Sequence, residues 1–130
     1  MAEPLWVDAS LLLQLHSEAI ELSGGSHGVR DMGLLESALA RPQNLFAYEG
    51  EGDLIVLAAT YAVAVSGNHP FIDGNKRAAF VCMGQFLLDN GLDLHANKVE
   101  AADIFLRLAA GDLEIHGLAE WLRRNVRPAP

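Results

Sequence analysis

Apolar residues recur along this chain at spacings that divide it into helices. Leu11, Leu12, Leu15, Ala19 and Leu22 fall three and four apart, which predicts a first helix with Asp8 as its N-cap and Gly24-Gly25 as its stop. A second helix is expected after Asp31, with Leu34, Leu35, Ala38 and Leu39 on one face. It should end near Arg41, because Pro42 disfavours helical geometry in the residue before it. The stretch Phe46-Ala47-Tyr48-Glu49-Gly50-Glu51-Gly52 is aromatic, acidic and broken by glycine, and it reads as an exposed loop or a short hairpin.

Two later segments have no polar face. Asp53 to Ser66 and Ala78 to Leu88 are apolar nearly all round, the mark of buried helices, so they should form the middle of the fold. Asn90-Gly91 stops the second of them. Asn97 followed by Glu100 resembles a capping box opening a helix from Lys98 to Ala110, with Gly111 as its end. Gly117 to Asn125 supplies a short last helix, and the tail Arg127 to Pro130 should be frayed. The expectation is one domain, residues 1–130: an all-α, compact helical bundle with one small hairpin.

Composition narrows the class. The 130 residues are 51% hydrophobic and 20% charged, an ordinary globular balance that excludes wholesale disorder. A formal net charge of −8 argues against direct nucleic-acid binding, since phosphate backbones attract Lys and Arg. The start of the chain carries Glu3 and Asp8 and does not read as a signal peptide. The apolar run Leu54 to Val65 is shorter than the ~20 residues a membrane crossing needs. A cytoplasmic protein without membrane attachment is expected. The lone Cys82, within Ala78-Ala79-Phe80-Val81-Cys82-Met83, reads as a core residue, and no disulfide can form within the chain.

Between the two central helices the composition changes abruptly. Asn68, His69, Asp73, Asn75, Lys76 and Arg77 crowd into a few positions. Lys and Arg in the first turn of a helix oppose its dipole, which favours anions there. A bound anion removes that conflict. The backbone N–H groups from Gly74 to Arg77, with both basic side chains, would then cradle phosphate oxygens, and Gly74 lets the backbone come close. Asp73 suits Mg²⁺, which takes one or two carboxylates together with substrate phosphates. Asn75 offers a donor to a phosphate oxygen, and Arg77 a bidentate fork. His69 is the natural general base for a hydroxyl. Phe71 and Ile72 should face inward and pin the loop.

Taken singly these residues are ordinary. A lone His is more often structural, Asp73-Gly74-Asn75 is a turn signal, and Lys76 would pass for a surface lysine. Their joint spacing carries the reading. His16, His27, His95 and His116 are scattered without metal-ligand spacing and read as solvated or capping residues. Trp6 and Trp121 read as core or partner contacts.

The run His69-Pro70-Phe71-Ile72-Asp73-Gly74-Asn75-Lys76-Arg77 resembles the signature of the Fic/Doc family, His-Pro-Phe-x-(Asp/Glu)-Gly-Asn-(Gly/Lys)-Arg, at every defined position. The segment from Arg30 to Gln43 is similar to one found upstream of the signature in Doc-like (death-on-curing) toxins. The resemblance covers roughly Val7 to Asn125. It implies a Fic-like helical bundle with a small β-hairpin flap, in which Tyr48, Glu49 and Glu51 would lay a target segment across the site by strand pairing.

The resemblance also implies chemistry. Fic enzymes move a phosphate-containing group from a nucleotide to a protein hydroxyl, with the loop His as base and the acidic residue on Mg²⁺. With Gly at the position of Lys76, the usual outcome is transfer of a nucleoside monophosphate. Doc-like members have Lys there and transfer the γ-phosphate of ATP to a threonine of elongation factor Tu, under the restraint of a small Phd-type antitoxin. Pro70 and Gly74 follow the wider Fic pattern rather than the Doc prototype, so only Lys76 separates a protein kinase from a nucleotidyltransferase that would AMPylate its target. A third reading is a non-catalytic partner-binding protein. The intact His69, Asp73, Asn75 and Arg77 speak against it. Ser17 to Glu21 has the spacing of the inhibitory helix carried by many Fic proteins, but Leu22 stands where Gly or Asn is required. Restraint is therefore expected from a partner.

Overall fold

A computed structural model describes residues 2–130. Helix α1 (Ala9–Ser23) begins where Asp8 accepts from the Leu11 N–H at 2.8 Å, and it stops at Gly24. Its buried face is Leu12, His16, Ala19 and Ile20, rotated from the expected stripe so that Leu22 is exposed. Helix α2 (Met32–Glu49) opens on Asp31, whose carboxylate accepts from the Leu34 N–H.

The expected stop at Pro42 does not occur. Pro42 is buried inside α2, which continues to Glu49 and a left-handed Gly50. An interior proline loses one backbone hydrogen bond and costs ~3 kcal/mol. The extra turns offset this by packing Leu45 and Phe46 against the core, with Phe46 edge-on to Trp6 at 5.7 Å between ring centroids. There is accordingly no hairpin at 46–52. Phe46 to Glu49 are helical, and only Gly50 to Asp53 connect onward.

Helices α3 (Leu54–Asn68) and α4 (Asn75–Asp89) form the centre, as their all-round apolarity requires. Tyr61 of α3 is fully buried; its hydroxyl accepts from the Val7 N–H at 3.0 Å, and burial pushes its acidity well below that of a free phenol. Burial likewise suppresses ionisation of the Cys82 thiol in α4, leaving it a core residue. Trp6 stacks on Phe86, and Trp121 is buried against Phe80.

Helix α5 (Lys98–Ala109) shows half of the expected capping box. The Asn97 side chain accepts from the N–H groups of Val99 and Glu100, but Glu100 accepts from Trp121 Nε1 instead of reaching back. Helix α6 starts at Ile115, before Gly117, and runs to Asn125. The tail is ordered rather than frayed. Strand β2 (Val126–Pro128) pairs antiparallel with β1 (Leu92–Leu94), Leu94 opposite Val126, and the Ala129 N–H donates to the Gly91 carbonyl. The predominantly helical fold is as expected, while its two-stranded sheet lies elsewhere than the flap. Among the described residues no helix is long and apolar enough to cross a membrane.

Candidate active site

The link from α3 to α4 is short and held from several sides. His69 ends α3 in the left-handed region, φ 53°, a conformation uncommon for a residue other than glycine. The Arg30 guanidinium supports it: Nε donates to the His69 carbonyl at 2.8 Å and Nη2 to the Asn68 carbonyl at 3.1 Å. A cation there also suits the negative end of the α3 dipole. The Pro70 carbonyl accepts from the N–H groups of Arg30 and Asp31, and the Ile72 N–H donates to the Gly28 carbonyl. Residues 28–31 therefore bind the loop as a strand would, with Val29 bridged to Phe71.

Phe71 is fully buried and contributes about 2–3 kcal/mol towards holding the loop down. Ile72 does not follow it inward. It is 56% exposed, and its end rests over Gly28 where a Cβ would collide at 2.9 Å.

Asn75, the first residue of α4, is buried and knits the turn together. Its Oδ1 accepts from the Phe71 N–H at 2.8 Å, and its Nδ2 donates to the Phe71 carbonyl at 3.0 Å and to His69 Nδ1 at 3.1 Å. The contacts with Phe71 fix which end of the amide is which, so His69 Nδ1 carries the lone pair in this arrangement. The Asn75 side chain thus positions the histidine and has no donor left for a phosphate.

Asp73 is exposed at the turn. One carboxylate oxygen accepts from the Gly74 N–H at 2.9 Å and the other from the Ser26 N–H at 3.2 Å. Gly25 lies so close that a Cβ there would meet the carboxylate at 2.7 Å. Gly74 takes φ +75° as the N-cap of α4, and no side chain caps this helix among the described residues. The N–H groups of its first turn, from Asn75 to Arg77, have no partner within the helix and present the positive end of its dipole.

His69, Asp73, Gly74, Asn75 and Lys76 line one cavity of about 240 Å³, with Ser66, Ile72 and Ala109 completing its wall. Arg77 lies in the same exposed first turn, but it does not line this cavity. Tyr48 and Glu49 are not beside the loop either. They occupy the end of α2 and line a separate hollow with Arg41, Asn44 and Ile115. A larger apolar hollow of about 600 Å³ adjoins it between α2, α3 and the α5–α6 connection.

Sequence reasoning missed several contributors. His16, read as solvated, is 4% exposed; it stacks on Phe71 and reaches the Asp73 carbonyl at 2.8 Å. The available signal was a polar residue in register with Leu12, Ala19 and Ile20. Arg30 opens the segment that resembles Doc-like toxins, but nothing in the sequence marked its role, because its partners are backbone carbonyls 38 and 39 residues away. Chemically the cavity offers an imidazole, a carboxylate, a lysine and a row of N–H donors facing the same space. That is a set for holding phosphate and metal beside a proton acceptor.

The chain has relatives among known proteins. The chain is 37% identical over 113 residues to protein kinase doc of Escherichia phage P1, covering 87% of this chain and 89% of that one. It is 35% identical over 102 residues to toxin Doc of Mycolicibacterium smegmatis, covering 76% and 78% respectively. The model of the Fic/DOC family matches residues 6–87, a span that holds the whole loop together with His16 of α1 and residues 28–31, which clamp it, and the chain belongs to that family.

Proposed function

We propose that this protein is a Doc-like toxin that transfers the γ-phosphate of ATP to a Ser or Thr hydroxyl of a translation factor of the elongation factor Tu type. The observation that carries this reading is Lys76 in the wall of a cavity that also holds His69, Asp73 and the open N-terminus of α4. The names of the two relatives, a protein kinase and a toxin, support it.

In this reading the open N–H groups from Asn75 to Arg77 bind the phosphate chain, with Lys76 placing one phosphate close to His69, while the Gly74 N–H holds the Asp73 carboxylate. Asp73 fits Mg²⁺, since it projects at the cavity with lone pairs left on both oxygens after its two hydrogen bonds. When bound, the ion would neutralise charge on the phosphates. His69 takes the hydroxyl proton as the oxygen attacks phosphorus and ADP leaves. The lone pair that accepts it is the one Asn75 touches. The hydroxyl therefore displaces that contact, or the ring turns over about its Cβ–Cγ bond, at the loss of one 3.1 Å hydrogen bond. A small Phd-type antitoxin completes the picture, because a chain with this cavity open needs restraint from outside.

A second reading, nucleotidyl transfer, is favoured by Pro70 and Gly74, which follow the wider Fic pattern. The two differ in which phosphorus faces His69. A lysine ammonium is a compact charge whose stem fills space that glycine would leave open. Wild type should label its target from γ-³²P-ATP and not from α-³²P-ATP, and Lys76→Gly should lose the first activity. Label arriving from the α position in wild type would replace the kinase assignment with nucleotidyl transfer.

A further inference from the structure

His16 lies outside the loop and outside the set of residues that would touch nucleotide, yet it is built into the loop's underside. It projects from the buried face of α1, and its ring lies parallel to that of Phe71, 5° between planes and 3.7 Å between centroids. Its Nε2 is 2.8 Å from the Asp73 carbonyl oxygen. A carbonyl only accepts, so Nε2 carries the hydrogen and donates it. Gly74 is pressed against the same side: a Cβ there would meet Ile20 Cδ1 at 3.0 Å and His16 Nε2 at 3.6 Å.

The peptide joining Asp73 to Gly74 is trans, so its carbonyl and its N–H point in opposite directions. With the carbonyl drawn down onto α1 by His16, the Gly74 N–H is turned away from α1. There it meets the Asp73 carboxylate at 2.9 Å, beside the cavity. One partly buried hydrogen bond thus sets the orientation of a peptide that carries the candidate metal ligand and the N–H that holds its carboxylate, at the entry to the row of open donors from Asn75 to Arg77. Without it the peptide plane could rotate, since glycine allows wide φ values, and the Gly74 N–H would release the Asp73 carboxylate beside the open donors of Asn75, Lys76 and Arg77.

We propose that His16 is a positioning residue of the active site, acting through the Asp73–Gly74 peptide on phosphate and metal binding. This rests on the nucleotide-binding reading above and deepens it. The test uses the full chain with His16→Phe and His16→Gln. Phenylalanine keeps the stack on Phe71 and removes the donor, whereas the glutamine amide can reach the same carbonyl.

Two quantities are measured: the ¹⁵N and ¹H shifts of the Gly74 amide without nucleotide, and the calorimetric Kd for ATP with Mg²⁺. His16→Phe should shift the Gly74 amide and weaken Mg²⁺–ATP binding about tenfold, the size of one lost hydrogen bond. His16→Gln should restore most of both. An unshifted Gly74 amide and wild-type Kd in His16→Phe would overturn the proposal. Equal losses in the two variants would do so too, because ring packing rather than the donor would then be at work. If His16→Phe fails to fold, His16→Gln with near-wild-type shift and Kd supports the donor role and a large loss sinks it. Failure of wild type to bind Mg²⁺–ATP would strike at the proposed function instead, and the Gly74 shift in the absence of nucleotide would still report on His16.

Discussion

From Asn68 to Phe71 each carbonyl of the active-site loop accepts a hydrogen bond from Arg30, Asp31 or Asn75, whereas from Asn75 to Arg77 the N–H groups are left open at the start of α4. The first half also buries Phe71 completely and ties a left-handed His69 to a guanidinium. The second half is held from outside by His16 beneath it and the Ser26 N–H beside it, and it exposes both of its cations. Under the proposed function the difference has a reason. A base would have to be held at a fixed place, and backbone bonds to neighbouring segments do this. A cradle would exchange water for phosphate, so its donors would stay unpaired until the ligand arrives.

The largest effect should come from the tightly held half. His69→Ala should slow transfer by roughly 10²–10⁴-fold, the usual contribution of a general base, and leave Mg²⁺–ATP affinity within about twofold of wild type. Single-turnover rates beside calorimetric Kd values separate the two. A variant that still turns over within a few-fold of wild type would remove His69 from the mechanism and dissolve the contrast between the halves.

The open half should respond in the opposite sense. Arg77→Ala should weaken ATP binding with or without metal by about 1.5–3 kcal/mol, the worth of a charged hydrogen bond. Arg77 does not line the cavity in this structure, so the prediction requires its side chain to swing onto the phosphates when nucleotide binds. Asp73→Ala should chiefly blunt the dependence on Mg²⁺. Titrations that gave the same loss for both variants, in both conditions, would contradict the separate roles.

The contrast also shows what a sequence can reveal. The apolar surroundings of α3 and α4 and the polar cluster between them are local patterns, and the fold's centre and most of the cavity lining followed from them. Three features did not. The stop assigned at Pro42 weighed a local backbone penalty without the burial of Pro42, Leu45 and Phe46 that outweighs it. The tail of the chain forms β2 because Leu92 to Leu94 offers it an edge more than 30 residues away, and three residues are too few to show a strand period. Arg30 and His16 act on backbone carbonyls of the loop, and no pattern of residue types marks a carbonyl as a partner. The polar groups that line the cavity were therefore legible, and the groups outside the loop that hold it in place were not.

Arg30 gives the next prediction, smaller and more selective. Lysine in its place keeps a positive charge at the end of α3 but cannot bridge two carbonyls as the planar fork does. Arg30→Lys should lower kcat about tenfold, equivalent to ~1.4 kcal/mol in the barrier, while KM for ATP stays within about twofold. A change in KM at constant kcat would show that Arg30 serves the cradle rather than the base.

The smallest effect belongs to the opposite end of α3, where it serves as a control for everything above. Asp53 caps that helix, accepting from the Ile55 N–H at 2.9 Å, and pairs with Arg123 of α6 at 2.6 Å. Burial alone would push the Asp53 carboxyl upward; the Arg123 guanidinium and the N–H groups of Ile55 and Val56 outweigh it and hold the carboxyl below its usual 3.8. Both side chains are partly exposed, so solvent screens the pair and its worth is about 0.2–1 kcal/mol. A carboxyl whose folded pKa is depressed adds stability that is present above its unfolded pKa and lost as pH falls through the folded one. Arg123→Ala should thus melt slightly lower than wild type near neutral pH, and the gap should close as the pH drops below the ordinary Asp range. Transfer rate should not change, because Arg30, Asp31 and Asn75 hold His69 locally at the other end of the helix. A fall in kcat matching the fall in melting temperature would mean that the base is held by the stability of α3 as a whole, and the separation between clamp and scaffold would be lost.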